Sequence, residues 1–306
     1  MFAVQYLRFG GPDVLEVGQI DQPHPGPGEV RIAVRASGIT GADAILRSGG
    51  LRPDLKFPHI PGVDAAGVVD EIGLGVTGVA IGDEVFGAVD VMLLGGAAAE
   101  FAVLQFWAPK PPTWSWAEAG GAATSVETAT RTLDALGIGL GSTLLIEGAS
   151  GAVGSVAVQL AVARGVRVVG TGSPQNQDLI AELGGVPTTY GPGLPVRVAK
   201  LAPDGVDAAL DVAGAGSLPD LLTITGDAAK VLTIADFTAP DHGVRLSYSG
   251  SGQPDGRHGL STAARLAAEG RLRIIVRDTF GFGRAAEAHA RAEDRRGSGK
   301  VVLTVS

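Results

Sequence analysis

The chain contains no cysteine among its 306 residues. Disulfides are thereby excluded, and so is any zinc or iron–sulfur site that needs thiolate ligands. Excess positive charge is also missing. Lys and Arg number 24 against 32 Asp and Glu, for a formal net charge of -8. No dense basic patch appears, so nucleic acid is a poor candidate partner. Long apolar runs are absent. Residues 85–101 come nearest, but Asp90, Glu100 and three glycines interrupt them. The opening MFAVQYLRFGG has no charged-then-apolar pattern. A soluble cytoplasmic protein is therefore expected, with no membrane partner. Charged residues make up 18% and hydrophobic residues 45%, which favours a large core over disorder. The length suggests two domains.

Glycine is abundant, at 47 residues, in keeping with many short strands and tight turns. The chain is organised around residues 143–173, TLLIEGASGAVGSVAVQLAVARGVRVVGTGS. Residues 143–146 form a β-prone apolar run, as expected of a strand buried on both faces. Gly148, Gly151 and Gly154 follow in a turn. Val153, Val156, Ala157, Leu160 and Ala161 then recur at helical spacing, and Gly165 stops the helix before a second strand at 166–169. This is a βαβ unit. Its glycines let the backbone approach a pyrophosphate, and the helix N-terminus offers free N–H groups and partial positive charge. The strict G-x-G-x-x-G spacing is not met, because Ala149 stands at the first glycine position. The strand-turn-helix context carries the reading; an ordinary tight turn without ligand is its rival. Ser150, Gly151, Ala152, Val153 and Gly154 are the expected cofactor contacts.

Before this unit the chain reads as β-rich, with strands expected at 2–7, 15–20, 30–36, 67–72, 81–86 and 98–103, and a short helix at 42–47. One helix is expected over 116–136. After it, helices at 175–183 and 216–223 alternate with strands at 206–211, 231–235 and 244–248, which implies a parallel doubly wound sheet. A helix at 258–269, a strand at 274–280, a helix at 284–294 and a strand at 300–305 close the chain.

Several segments together resemble the zinc-free quinone oxidoreductase branch (zeta-crystallin-like) of the medium-chain dehydrogenase/reductases. They are YLRFGGPDVLEV at 6–17, PGPGEVRIAVRASGITGAD at 25–43, PHIPGVDAAGVVDEIGLGVTGVAIGDEVFG at 58–87, IEGASGAVGSVAVQLAVARG at 146–165, DVAG at 211–214 and GKVVL at 299–303. The resemblance implies an α/β fold: a GroES-like β-rich catalytic domain from 1–118 and 258–306, and a doubly wound Rossmann cofactor domain at 119–257. It implies NADPH as hydride source and a quinone or conjugated carbonyl as acceptor. It also implies a homodimer, paired along the edge strand at 244–248. Zinc-binding relatives carry a His-Glu pair just after Pro-Gly. Here Val63-Asp64 follows Pro61-Gly62 and His59 precedes it, so no three-ligand metal site is supported.

The second strand ends Gly172-Ser173, and no carboxylate occurs before Asp178. A NAD site usually shows an acidic residue there, so NADPH is favoured. No Lys or Arg occurs from Val168 to Val196, so the preference is expected to be modest. Tyr190 matches a tyrosine placed beside the adenosine end, or is a packed strand-loop residue. Ala213, Ile234 and Ala235 follow later strands at the ligand crevice. Lys300 is read either as a contact to the cofactor phosphates or as a solvated side chain.

Three catalytic candidates, Thr40, Asp43 and Thr128, are carried over by resemblance, and a fourth, Glu127, is raised by its departure from the family pattern. Thr40 stands where many relatives have Asn. Asp43 matches the family's Asp in the same loop, or is an N-cap. Thr128 matches a threonine near the nicotinamide, or is a back-bonded helix residue. Glu127 stands where relatives have an apolar residue. It is read as a proton donor raised by desolvation, or as a solvated residue. Relatives also carry a Tyr after the position of Arg47, which SGGLRPDLKF lacks. That absence, Glu127 and the small residues at 94–99 point to an alternative, a specialised enoyl or cyclising reductase of polyketide type. A third reading is a non-catalytic NADPH-binding protein.

Overall fold

The structure is a computed structural model that describes residues 1–90, 95–250, 254–294 and 297–305. Leu94, part of the small-residue stretch noted above, lies outside them. In chain order the strands are β1 Phe2–Gln5, β2 Glu16–Gln19, β3 Val30–Gly38, β4 Asp64–Ile72, β5 Glu84–Ala88, β6 Phe101–Leu104, β7 Phe106–Pro109, β8 Thr143–Glu147, β9 Arg167–Gly172, β10 Val186–Thr189, β11 Ala208–Asp211, β12 Val231–Thr233, β13 Arg245–Leu246, β14 Val276–Gly281 and β15 Lys300–Thr304. The helices are α1 Gly41–Arg47, α2 Trp116–Gly120, α3 Ala123–Leu136, α4 Ala152–Ala163, α5 Gln177–Glu182, α6 Leu194–Leu201, α7 Leu218–Thr225, α8 Gly259–Ala268 and α9 Ala285–Glu293.

The chain divides into two compact units. One comprises Met1–Thr124, Leu260–Arg296 and Lys300–Ser306; the other comprises Ser125–Gly259 and Gly297–Gly299.

The first unit is built on a sheet of order β14-β15-β3-β4-β5-β7, with β6 also pairing β3. Its pairings are antiparallel except β14 with β15. The single helix expected over 116–136 is two helices, α2 and α3. The break falls at Gly120-Gly121, where the backbone presses on β3: a Cβ at Gly120 would lie 2.6 Å from that of Ala36. Strand β7, a short run ending at Pro109, is a further strand beyond those the sequence pattern predicts.

The second unit carries a six-stranded parallel sheet of order β10-β9-β8-β11-β12-β13. Counted from β8, this is the doubly wound dinucleotide-binding order, and it reverses direction between β8 and β11. Leu144, Leu145 and Ile146 of β8 are completely buried, as a strand covered by helices on both faces requires. β10 and α6 lie outside the elements that the sequence pattern predicts. Their lengths are four and eight residues, and Pro187 and Pro195 within them read as turn signals. The edge strand expected at 244–248 is only two residues long.

Candidate active site

In the second unit the glycine turn leaves β8 at Gly148, whose φ of +87° suits glycine. Thr171 of β9 pins two successive turn amides. Gly148 N–H donates to its Oγ1 at 3.0 Å, and Ala149 N–H donates to its carbonyl at 2.8 Å. Helix α4 then starts at N-cap Gly151 with no side-chain cap. The first-turn amides of Ala152, Val153 and Gly154 therefore have neither intrahelical nor side-chain acceptors, which is what a pyrophosphate needs. Gly154 permits the close packing of helix on turn, since an added Cβ would lie 2.2 Å from Gly148 O.

Beside this turn, Asn176 Nδ2 donates to Ser150 Oγ at 3.0 Å, Gly172 ends β9 and Ser173 follows it. Gln177 Nε2 is committed to the carbonyls of Gly172, Ser173 and Thr188. The site built from Ser150, Gly172, Ser173 and Asn176 thus offers hydroxyl and amide groups and no charge. Tyr190 is 56% exposed and so is not a packed core residue. Its turn is held by Arg197, which donates to the carbonyls of Thr189, Tyr190, Gly191 and Pro192. The loops after β11 and β12 are tied back to the sheet. Ala213 N–H donates to Asp211 Oδ1, Ile234 N–H to Asp211 O, and Ala235 N–H to Thr233 Oγ1.

Glu127 departs from both of its expected roles. It is 6% exposed, so it is not solvated. Its carboxylate pairs with Arg131 at 2.9 Å and accepts Gly256 N–H at 3.1 Å. Arg131 in turn donates to Ser247 Oγ. An ion-paired acceptor of this kind has no proton to give, and it serves to anchor the 254–259 segment on α3. Thr128 Oγ1 donates to Glu127 Oε2 at 3.2 Å. The back-bonded threonine on this helix is Thr132, whose hydroxyl donates to the carbonyls of Thr128 and Ala129.

In the first unit, Thr40 is the N-cap of α1 and Asp43 sits three residues on. Asp43 is not itself the N-cap. Its Oδ2 accepts Thr40 N–H and Oγ1–H, both at 2.7 Å, and its Oδ1 accepts Gly62 N–H at 2.8 Å. Asp43 therefore ties the α1 loop to Pro61-Gly62, and the Thr40 hydroxyl proton points at Asp43.

Lys300 differs from both sequence expectations. It is 4% exposed, and its ammonium pairs with the fully buried Asp64 at 2.8 Å. Asp64 also accepts Thr124 N–H at 2.6 Å and Thr124 Oγ1–H at 2.7 Å. Lys300 is therefore neither solvated nor an uncommitted cation. Arg47 is likewise buried and donates to His289 Nδ1 and Gly10 O. Nδ1 is thus an acceptor and the ring is neutral, and burial pushes His289 below the ordinary histidine range. No local sequence signal marked these clusters; their partners lie 236 and 242 positions apart. Among the described residues, no group of three or more His, Cys, Asp or Glu comes together as a metal site, and no helix is long and apolar enough to cross a membrane.

The Alcohol dehydrogenase GroES-like domain family matches residues 26–129, and the Zinc-binding dehydrogenase family matches residues 193–303. The chain is 32% identical over 326 residues to the chloroplastic quinone-oxidoreductase QR1 of Triphysaria versicolor, covering 99% of this chain and 98% of that protein. It is 34% identical to the pikromycin polyketide synthase component PikAII of Streptomyces venezuelae, over 92% of this chain but only 8% of that much longer protein. A mycobacterial protein solved in complex with NADPH superposes with a TM-score of 0.81 at 25% identity, over the whole of both chains. With a doubly wound dinucleotide-binding sheet and a full-length relative of this identity, the chain belongs to the quinone oxidoreductase family of the medium-chain dehydrogenase/reductases.

Proposed function

We propose that this protein is an NADPH-dependent reductase that delivers hydride to a quinone or to the activated C=C bond of an enone, without a metal. The observation that carries the reading is the uncapped N-terminus of α4 behind the Gly148–Gly154 turn, in a chain similar along its length to a quinone oxidoreductase. The residues fit the dinucleotide. The amides of Ala152, Val153 and Gly154, with Ser150 and Gly151, would hold the pyrophosphate. Gly172, Ser173 and Tyr190 would lie at the adenosine end, and Ala213, Ile234 and Ala235 along the strand ends. When bound, the reduced dinucleotide supplies the hydride; the chain contributes binding, orientation and exclusion of water.

Thr40, Asp43 and Thr128, by resemblance, and Glu127, by its place beside Thr128, are the side chains assigned to the reaction, and their hydrogen bonds limit what each can do. Thr40 donates to Asp43, and Thr128 donates to Glu127. Asp43 accepts three donors, and Glu127 is ion-paired. None of the four holds a free acidic proton. The proton that completes reduction is therefore assigned to water. Asp43 is a positioning residue for the Thr40 loop, and Glu127 one for α3. Lys300, held by Asp64, is not assigned to the phosphates.

The 2′-phosphate would be met by neutral donors alone. One or two neutral hydrogen bonds contribute about 0.5–1.5 kcal/mol each, so NADPH is expected to be preferred over NADH by only about tenfold. The decisive measurement is stopped-flow oxidation of NADPH and NADH against a panel of quinones and conjugated ketones. Rapid turnover of 1,4-quinones with a small cofactor ratio is the expected result. Tight NADPH binding without turnover of any acceptor would overturn the enzymatic reading in favour of a non-catalytic binding protein. The similarity to part of a polyketide synthase supports a second reading, a specialised enoyl reductase. It requires quinone turnover to fall well below turnover of a bulky conjugated thioester.

The parallel sheet ends at β13, a two-residue edge with open backbone groups. Pairing of two such edges across a two-fold axis is the proposed dimer contact. Light scattering at micromolar concentration should give twice the 30.8 kDa chain mass. A monomer mass would rule the contact out.

A further inference from the structure

Two carboxylates lie side by side at the point where the parallel sheet reverses direction. Glu147 ends β8 and Asp211 ends β11, and the two are register partners. Both are buried, at 2% and 0% exposure. Their surroundings differ. Asp211 gathers three donors: Ala213 N–H, Gly214 N–H and Thr233 Oγ1–H, at 2.9, 3.0 and 2.7 Å. Glu147 Oε2 accepts from Thr171 Oγ1 at 2.7 Å. That bond orients the threonine. With its proton directed to Glu147, Thr171 Oγ1 can only accept from Gly148 N–H, as it does at 3.0 Å. Glu147, Thr171 and the glycine turn therefore form one hydrogen-bonded chain directly beneath the amides that would receive a pyrophosphate.

No compensating cation faces this carboxylate among the described residues. The charged groups acting on it are Asp211 across the sheet and Asp220 of α7, both negative. Burial first, then these two neighbours, push Glu147 above the usual carboxylate range, against the opposing pull of the Thr171 hydrogen bond. A pyrophosphate settling on the adjacent turn adds further negative charge, and only the protonated form of Glu147 avoids the added repulsion.

We infer that Glu147 is a positioning residue for dinucleotide binding, and that it takes up a proton when the pyrophosphate settles on the glycine turn. The inference rests on the dinucleotide reading of this turn. The linkage has a definite sign. Protonated Glu147 binds the dinucleotide more tightly, so the Kd rises with pH through the titration of Glu147. A displacement of one pH unit between free and bound protein corresponds to about a tenfold change in Kd.

The test is calorimetric titration with ADP-ribose, whose pyrophosphate does not change charge near neutrality, between pH 5 and pH 9 in two buffers of different ionisation enthalpy. The wild-type protein should take up a fraction of a proton per site, with a Kd that weakens about tenfold towards alkaline pH. Glu147→Gln keeps the acceptor for Thr171 and should bind with a flat pH profile and no proton uptake. The inference is overturned if the wild type takes up no proton, or if the glutamine variant retains the same uptake. The wild-type measurement stands even if the variant does not fold. If neither ADP-ribose nor NADPH binds, the dinucleotide reading falls and the inference falls with it.

Discussion

Replacing Lys300 with methionine is expected to lower the unfolding free energy by about 3–5 kcal/mol, the usual loss when one partner of a buried ion pair is removed. Asp64 is completely buried, and Lys300 is the cation that faces it at 2.8 Å. Without the ammonium, Asp64 keeps, among the described residues, the neutral donors of Thr124. A carboxylate in that setting must either remain charged at high desolvation cost or take up a proton and release a donor. The double variant Asp64→Asn/Lys300→Met should recover much of the loss, because an asparagine can accept from Thr124 N–H and donate to Thr124 Oγ1. Urea unfolding followed by tryptophan fluorescence reports on the right region, since Trp107, Trp114 and Trp116 all lie in the same unit as the pair. A loss below about 1 kcal/mol for Lys300→Met would mean that the pair behaves like a solvent-screened one.

The second large effect is expected at Gly154. Alanine there brings its Cβ to 2.2 Å from Gly148 O and 2.9 Å from Ala149 Cα, both of them backbone atoms. Neither can be relieved by a side-chain rotation. The first turn of α4 must retreat from the β8 turn, carrying the amides of Ala152, Val153 and residue 154 with it. Overpacking of this kind costs about 1–3 kcal/mol in stability. Loss of one amide hydrogen bond to the charged pyrophosphate, about 1.5–3 kcal/mol, is expected to weaken NADPH binding about ten- to a hundredfold. Gly139→Ala, in the same unit but outside the turn, is the control, because nothing lies within 4 Å of its added Cβ. Fluorescence titration with NADPH compares the two. Equal affinities would mean that the turn does not carry the pyrophosphate.

Glu147 shows how far the chain could be read before folding. Its place at the end of a buried strand was legible, because an apolar run followed by a glycine turn and a helical repeat has few alternatives. Its neighbour was not. Asp211 lies 64 positions later, and a parallel register depends on which strands the crossover helices bring together. Glu127 illustrates a different failure. Its partner Arg131 is one helical turn away, so the spacing for an ion pair was visible in the sequence. What was not visible is that Gly256 and Ser247 close over the pair and remove it from water.

Local pattern and composition determined that this is a cysteine-free α/β protein with a β-rich part and a doubly wound part, and where its glycine turn lies. Those properties follow from periodicities of two and 3.6 residues and from backbone conformations that only a few residue types adopt. Tertiary structure alone decided the buried polar partners. Lys300 meets Asp64 across 236 positions and Arg47 meets His289 across 242, and each becomes a buried contact only when the C-terminal segment returns to the first unit. A side chain's charge is written in the sequence, but its partner and its access to water depend on how distant segments pack.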